Sequence, residues 1–600
     1  MVMRKIRFRD EHGSALVMVL FMALLLTILG TAVVAAAIGG AQRTQTREND
    51  VQSLHLAEKA LDEGASYIFS ELDSKNIEPE KLDGVIRNYM SELEEKIKAG
   101  QLTLGSELGA NGVDKVSAKI TEIKYNKSST SATEYPITLR SEAVVNGVKR
   151  KLSREIVIDT FPDFLRYALG SEGDLILNGS PDMKGNIYAG QNLQLSNTAH
   201  YTHGNAYDAP TLFPVLLPAG AEGQGDGEAH IQSLKKVGCF DQGIGKSPFQ
   251  AGGCEKPLGS AFDPAKNLRI KPLSKFVSIN VEESFNDKAR EALDPNSLQP
   301  NAKDSGKALV QWYDDQYKSD NNGNSNAPFL QLEMPEEPAY PPIPGEGASE
   351  EEITKYNADI EEYKVKLEVY KEELNKLVTQ LTDLSQSAIF RGDLTVDGSM
   401  LQSLKINTSQ ESGKTNWLIV NGNLNIDARS AGDIGVAGNI LVTGNIAING
   451  NVHFDSTVFT LGKTEIVDAS IQGLNGKELV LIGKGAIEIY RVDAFKNTER
   501  PTVLSAFFYT DDKAELYGVG SAFHLKGGFF AKGDLTINAM RGRATGPSGS
   551  SDPLVFEQQV GEQQAARFSV EYNGDVFKHQ YIGLPRVSKI SVRIGSLKLE

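Results

Sequence analysis

The chain is predicted to be an α+β protein. A long N-terminal transmembrane helix should lie on a small antiparallel sheet, followed by a mainly β, parallel β-helix-like solenoid with a helical insertion. Three observations predict this. Residues 14–38 carry no charge and are nearly all apolar. Two alternating apolar–polar runs flank Asn146-Gly147, the strongest short hairpin signal. A six-residue unit, Gly-(Asn/Asp)-apolar-x-apolar-x, runs four times in succession from Gly432 to Asp455.

The apolar run comes first. It exceeds the roughly 20 residues that a helix needs to cross a bilayer. Arg4, Lys5, Arg7 and Arg9 precede it, and the next basic residue is Arg43. That asymmetry keeps the front end cytoplasmic and places the body outside. The run is too long for an ordinary secretory signal, whose apolar core has about 7–15 residues. It flows into more helix. Val51, Leu54, Ala57, Leu61, Ala65 and Ile68 follow at spacings of three and four, one apolar face. A single helix from Ser14 to Leu72 would be on the order of 85 Å long. Its front half should sit in lipid and its rear half on a globular head.

That head is legible too. A short helix should open at Pro79, carry Leu82, Val85, Ile86, Tyr89, Leu93 and Ile97 on one face, and stop at Gly100. Val116–Tyr125, Ile137–Val145 and Val148–Ile158 alternate as half-buried strands.

At this point the residues resemble a family. A basic leader precedes Gly13-Ser14-Ala15-Leu16-Val17. Then come Leu24-Leu25-Leu26-Thr27-Ile28-Leu29-Gly30 and Leu56-Ala57-Glu58-Lys59-Ala60-Leu61-Asp62-Glu63-Gly64. Residues 5–70 resemble the PilX-type N-terminal domain of type IV pilus minor pilins. The resemblance implies cleavage after Gly13 by a prepilin peptidase, with Ser14 as the new N-terminus. Most major pilins carry Glu at the fifth mature position, where this chain has Met18. In that it resembles the minor pilins and K-type pseudopilins that sit at a filament tip.

Composition bounds the partners. The net charge is −16, and loss of residues 1–13 would leave about −18, which argues against nucleic acid. The two cysteines, Cys239 and Cys254, lie close together in a Gly-rich stretch. In an oxidising compartment they can close a loop worth about 3 kcal/mol. The alternative is a pair of free thiols. Without nearby His or further Cys they are too few ligands for zinc.

The six-residue unit makes the solenoid. Gly and Asn tolerate the left-handed backbone of a tight corner, and the alternating apolar residues face inward from a short strand. Looser copies begin at Gly173, Gly185, Gly392, Gly422 and Gly533. Such strands stack into a parallel solenoid. The alternative is a meander of Asn-Gly hairpins.

Between the copies at 173–196 and those at 390–540 lies an insertion. It holds the Gly-rich Ala219–Gly227, the Cys pair, a polar stretch at Ser319–Asn326 and a stiff spacer with Pro335, Pro338, Pro341, Pro342 and Pro344. Then Ile353, Tyr356, Ile360, Tyr363, Leu367, Tyr370, Leu374, Leu377, Leu381 and Leu384 form an unbroken heptad seam over about 48 Å of helix. Ser349 and Glu352 make a capping box at its start. The seam should either pair with another subunit as a coiled coil or pack on this chain's own solenoid flank.

Other motifs fail on inspection. Gly243-Ile244-Gly245-Lys246-Ser247 ends like a phosphate-binding loop, but Phe240 stands where the first glycine belongs and Pro248 where a helix should begin. Arg391-Gly392-Asp393 reads as a solenoid corner. His200 and His203 with Asp208 could approach a metal, but two His in a loop are more often solvated. No nucleophile is paired with a base, so no catalytic residue, cofactor or metal is expected.

The expected domains are a leader at 1–13, the helix with its α+β head at 14–160, a first solenoid segment at 161–200, an irregular insertion at 201–348, the heptad helix at 349–388, and the β-solenoid with a C-terminal β region at 389–600. The resemblance implies a non-enzymatic minor or tip pilin in a type IV pilus or pseudopilus, serving adhesion, motility or secretion. Its partners would be the bilayer, other pilin-like subunits and the prepilin peptidase. A surface-anchored module whose solenoid recognises glycan or cell wall is the first alternative. A polysaccharide-active β-helix enzyme is the second.

Overall fold

The computed structural model describes residues 12–74, 82–99, 107–108, 116–125, 134–159, 162–219, 225–245, 249–258, 262–270, 279–293, 305–317, 327–407, 415–430, 432–498, 500–546, 549, 552–557, 564–576, 583–585 and 591–600. Pro79, Gly100, Lys246, Ser247 and the Ser319–Asn326 stretch lie outside the described residues. The chain divides into two units, Met1–Thr160 with Ser588–Glu600, and Phe161–Val587.

In the first unit, helix α1 runs unbroken from His12 to Ser74, and helix α2 covers Leu82–Lys98. Strands Val116–Tyr125, Glu134–Val145 and Val148–Asp159 pair antiparallel in sequence order. Asn146 and Gly147 turn the hairpin with φ of 49° and 86°, the left-handed pair that a two-residue turn requires. The rear of α1 (Ala57, Ala60, Leu61, Ile68, Leu72) and α2 (Ile86, Met90, Leu93) bury one face of this sheet. The sheet has a further strand. Ser591–Leu599 pairs antiparallel with Val148–Asp159. The end of the C-terminal β region expected within 389–600 is thus a strand of this sheet. Nothing local signals this, because the two strands are more than 400 residues apart in sequence.

The second unit is a β-helix-like stack of short parallel strands on three faces. The hexapeptides explain its geometry, since each supplies one face. Ile434 and Val436 stack on the third face, Ile440 and Val442 on the first, and Ile446 and Ile448 on the second. Val452 and Phe454 return to the third face, directly on Ile434 and Val436. Three hexapeptides thus close one coil. One corner repeats along the stack. Gly444 N donates to Gly422 O (2.9 Å), Gly462 N to Gly444 O (3.0 Å) and Gly485 N to Gly462 O (3.2 Å). Beside them, Asp393 Oδ1 accepts from Asn423 N (2.7 Å), Asn423 Oδ1 from Asn445 N (2.8 Å) and Asn445 Oδ1 from Lys463 N (2.8 Å). These side chains satisfy corner amides that no ladder reaches. A side chain at Gly444 would run into the Gly422 carbonyl.

The coils do not follow chain order. One inward row reads Ala388, Leu418, Ile440, Val458, Leu481, Phe508, Phe529, then Leu169, Ile187, Ala229 and Leu268. The first solenoid segment therefore continues the stack where the last coil ends. At the joint, Gly185 lies against Ala168 on one side and Tyr572 on the other. The segment 201–348, expected to be irregular, splits accordingly. Val215–Leu217, Ala229–Ile231, Val237–Phe240 and Leu268–Ile270 are further coil strands. They are too short, and their corners too degenerate, for the repeat to be visible in sequence.

Helices Val281–Leu293 and Gly306–Gln316 cover the outer side of the first face. Its strands are apolar on both sides, as in Leu418-Ile419-Val420 and Ile440-Leu441-Val442, which is the pattern of a sheet buried on both faces. Trp417 faces outward there, fully buried, with Lys288 Nζ 5.7 Å from its ring centroid. Asp314 on the second helix accepts from Arg391 Nε at 2.8 Å.

Candidate functional site

The dominant functional feature is α1. From Leu16 to Ile38 its large apolar side chains are each more than half exposed. A bare apolar sleeve of this size far exceeds what a soluble surface carries. The helix is long and apolar enough to cross a membrane, by length and composition. Its polar residues there are satisfied within the helix: Thr27 Oγ1 donates to Ala23 O (2.7 Å) and Thr31 Oγ1 to Thr27 O (3.0 Å). That is what a hydrocarbon setting demands. Gly13 and Ser14 lie in the first turn. Met18 is 66% exposed within the sleeve.

Behind the sleeve, the block from Leu56 to Gly64 docks the helix on its sheet. Ala57, Ala60 and Leu61 are buried. At Gly64 an added Cβ would lie 3.1 Å from Ile120, so the close approach there suits glycine. The two carboxylates of the block, Glu58 and Asp62, both reach Arg154 on the sheet, Glu58 at 3.7 Å and Asp62 in direct hydrogen bond. Arg154 is itself buried. Asp50 takes Arg150 at 2.5 Å, and Ser141 Oγ donates to the Ala57 carbonyl at 2.8 Å. A guanidinium buried between two carboxylates fixes helix register as well as position.

The heptad helix spans Glu350–Thr382, with the Ser349–Glu352 capping box in place. Its seam meets two partners within the same chain. Leu377, Leu381 and Leu384 join the solenoid core. Toward the tip, the proline spacer runs back along the seam. Pro335, Pro338, Pro341 and Pro344 are each partly buried while the residues between them are exposed. A repeat of three is the period of a polyproline helix. Tyr340 clamps the pair, with its ring 5.1 Å from that of Tyr363 and its hydroxyl 3.2 Å from that of Tyr356. Tyr356, Ile360, Tyr363, Leu367, Tyr370 and Leu374 are half-buried, and Ile353 is exposed.

Cys239 and Cys254 form a disulfide with Cα atoms 5.3 Å apart. Cys239 lies in a coil strand, so the bond ties the following Gly-rich loop to the solenoid. Within that loop Gly245 N donates to Asn178 Oδ1 (2.9 Å) and Gly243 O accepts from Ser196 Oγ, a structural anchorage rather than a phosphate cradle. Arg391, Gly392 and Asp393 form the expected corner. Gly392 has φ of 80°, and the hydrogen bond from Asn423 holds the Asp393 carboxyl below the usual carboxylate range. His200 and Asp208 face each other across an antiparallel hairpin, with Nδ1 2.7 Å from Oδ1, while His203 pairs with Asn205 in register. Among the described residues no group of three or more His, Cys, Asp or Glu is placed to hold a metal ion. Burial pushes the Glu172 carboxyl up to about 7, beside Lys532 and Asp511.

Sequence reasoning missed three features: the proline row on the seam, the C-terminal strand, and a groove in the second solenoid face described below. The first did carry a signal, prolines at every third position before a heptad helix.

No protein family model matches the chain, and no curated protein matches it. A solved structure to which it is similar is the crystal structure of the competence-associated pilin ComZ from Thermus thermophilus. The identity is 12%, the match covers 92% of this chain and 97% of that chain, and the TM-score is 0.26. A similarity at that level carries no argument, so the functional reading rests on the geometry of the chain itself.

Proposed function

We propose that the chain is a non-enzymatic, membrane-anchored pilin-like subunit, resident at the tip or in few copies in a type IV pilus-related filament. One observation carries this reading. A single 63-residue helix has a bare apolar front and a rear docked by Ala57, Ala60, Leu61 and Arg154 onto an antiparallel sheet. Such a helix can exchange lipid for the apolar helices of neighbouring subunits, and that burial supplies the energy of assembly. The basic leader puts the front end in the cytoplasm, and the sheet of the first unit and the whole second unit outside it. A prepilin peptidase would cut after Gly13. Met18 supports a tip position, because it offers no carboxylate to pair with a neighbour's terminal ammonium, and an unpaired buried charge is costly.

A second reading, the surface-anchored binding module, is favoured by the solenoid groove described below. Immunogold labelling of sheared filaments, with antibody against the solenoid, separates the two. Sparse label at filament ends is the expected result. Regular label along shafts would refute the tip position. Label confined to the cell surface would favour the anchored module.

A further inference from the structure

On the second face of the solenoid one ladder is missing. Strand Ile487–Tyr490 pairs on one side with Thr464–Val467. The next strand, Ala514–Gly518, pairs on its far side with Leu535–Ala539. Among the described residues no ladder joins the two strands that face each other. The preceding corner is still bonded, with Asp511 N donating to Gly483 O (3.0 Å) and Thr510 Oγ1 to Gly485 O (2.8 Å). Beyond it the sheets part.

After Tyr490 the chain turns sharply. Arg491, Asp493 and Phe495 have φ of 61°, 43° and 57°, a left-handed backbone that non-glycine residues rarely adopt. The surrounding contacts impose it. Phe495 N donates to Gly520 O (2.9 Å), and Asp493 accepts from Thr502 N (2.7 Å) and Lys496 Nζ (3.0 Å). The buried Arg567 donates to Asn497 (3.2 Å) and to Gly520 O (2.9 Å). These bonds fix the turn that follows the open edge.

Along the open edges lies a cavity of about 560 Å³, lined among others by Tyr490, Tyr517, Glu488, Glu515, Asp534 and Lys513. Its volume falls within the range of small-ligand sites, roughly 300–1,000 Å³. Glu515 is held by Asn538 Nδ2 (2.7 Å) and Asp534 by Asp174 N (2.8 Å), so both carboxylates are pre-oriented. At the far margin, the loop tied down by the disulfide brings Gly245 against Ile176, another lining residue.

A peptide strand does not fit between the open edges. It would need about 9.5 Å between them, twice the spacing of paired strands. The two strands already approach with Cα atoms within 8 Å. The occupant must lie over the groove. There it meets two tyrosine rings, several carboxylates and one lysine. Ring faces accept the C–H faces of sugars, and carboxylates accept hydroxyl or ammonium donors in charge-assisted bonds. An anionic polymer would be repelled.

We propose that this groove binds a few units of a hydroxyl-rich glycan, neutral or amino-bearing. The site would serve a filament tip and an anchored module alike, so its failure leaves the assembly reading standing.

Calorimetric titration of the full chain in detergent tests this with hexamers of glucose, N-acetylglucosamine, glucosamine and galacturonic acid. At least one of the first three should bind, and the galacturonic acid hexamer should not. Tyr490→Ala should weaken binding at least about tenfold, with Tyr517 left in place because it packs on the buried cluster of Val519, Met540 and Leu554. Tyr490 is 37% exposed, so it can be truncated without opening the core. Glu488→Gln with Glu515→Gln keeps both rings and should weaken an amino-bearing ligand more than a neutral one. Tyr340→Ala, on the helical arm, should change nothing. Three results would overturn the proposal: none of the first three sugars binding, unchanged affinity in the tyrosine variant with its melting transition intact, or tighter binding of the acidic hexamer.

Discussion

Leu61→Asp is expected to unfold the first unit while the solenoid stays folded. Leu61 is fully buried on the docking face of α1. The substitution removes a packed side chain, worth about 2–5 kcal/mol, and puts a carboxylate in its place with no cation designed for it. Together these reach the whole stability of an ordinary domain, about 5–15 kcal/mol. The two units have separate buried clusters, so the loss should stay in one of them. Scanning calorimetry of the full chain in detergent should show two transitions, of which the variant keeps only that of the solenoid. Leu61→Met, which conserves volume, should keep both. Loss of both transitions in the Asp variant would mean that the units do not fold independently.

Trp417→Ala tests the cover on the first solenoid face. The indole is fully buried between an outer strand face and helix Val281–Leu293, with the Phe459 ring 6.1 Å away. Truncation of a buried aromatic of this kind costs about 3–5 kcal/mol. It also strips buried Lys288 of the ring it sits over. The solenoid transition should fall by roughly 3–6 °C for a unit of this length, and limited proteolysis should cut first within the helical insertion. A loss below about 1 kcal/mol, the ordinary range of surface substitutions, would mean that the helix does not seal this face.

Local patterns carried much of this fold. The apolar run, the helical spacings through Ile68, the Asn146-Gly147 hairpin and the Gly-Asn corners each act over a few residues, and each is where its residues imply. What was not legible is long-range. The joint between Phe529 and Leu169 joins segments whose strands look alike, so nothing in either says which coil comes next. Ser591–Leu599 alternates like any edge strand and does not name its partner. The outer cover of the first face lay half open to reading. Leu441 and Phe459 fill positions that alternation would leave polar, which signals a second buried side without saying what buries it. The groove was the least legible. It lies where one ladder between neighbouring coils is missing, and strands Ile487–Tyr490 and Ala514–Gly518 alternate like the paired ones, so neither gives a sequence sign of it. On the heptad helix, a partner was legible but its identity was not. The spacing of Pro335, Pro338, Pro341 and Pro344 could have supplied it.

The N-terminal residue of the protein extracted from membranes tests the central claim most directly. Leader, glycine and apolar helix stand in immediate succession, and on the proposed reading processing after Gly13 would turn a membrane protein into an assembling subunit. Sequencing should read Ser-Ala-Leu-Val from Ser14, and Gly13→Arg should leave the leader attached and the protein inserted but unassembled. An intact Met1, or a terminus beyond Gly40, would contradict the assignment.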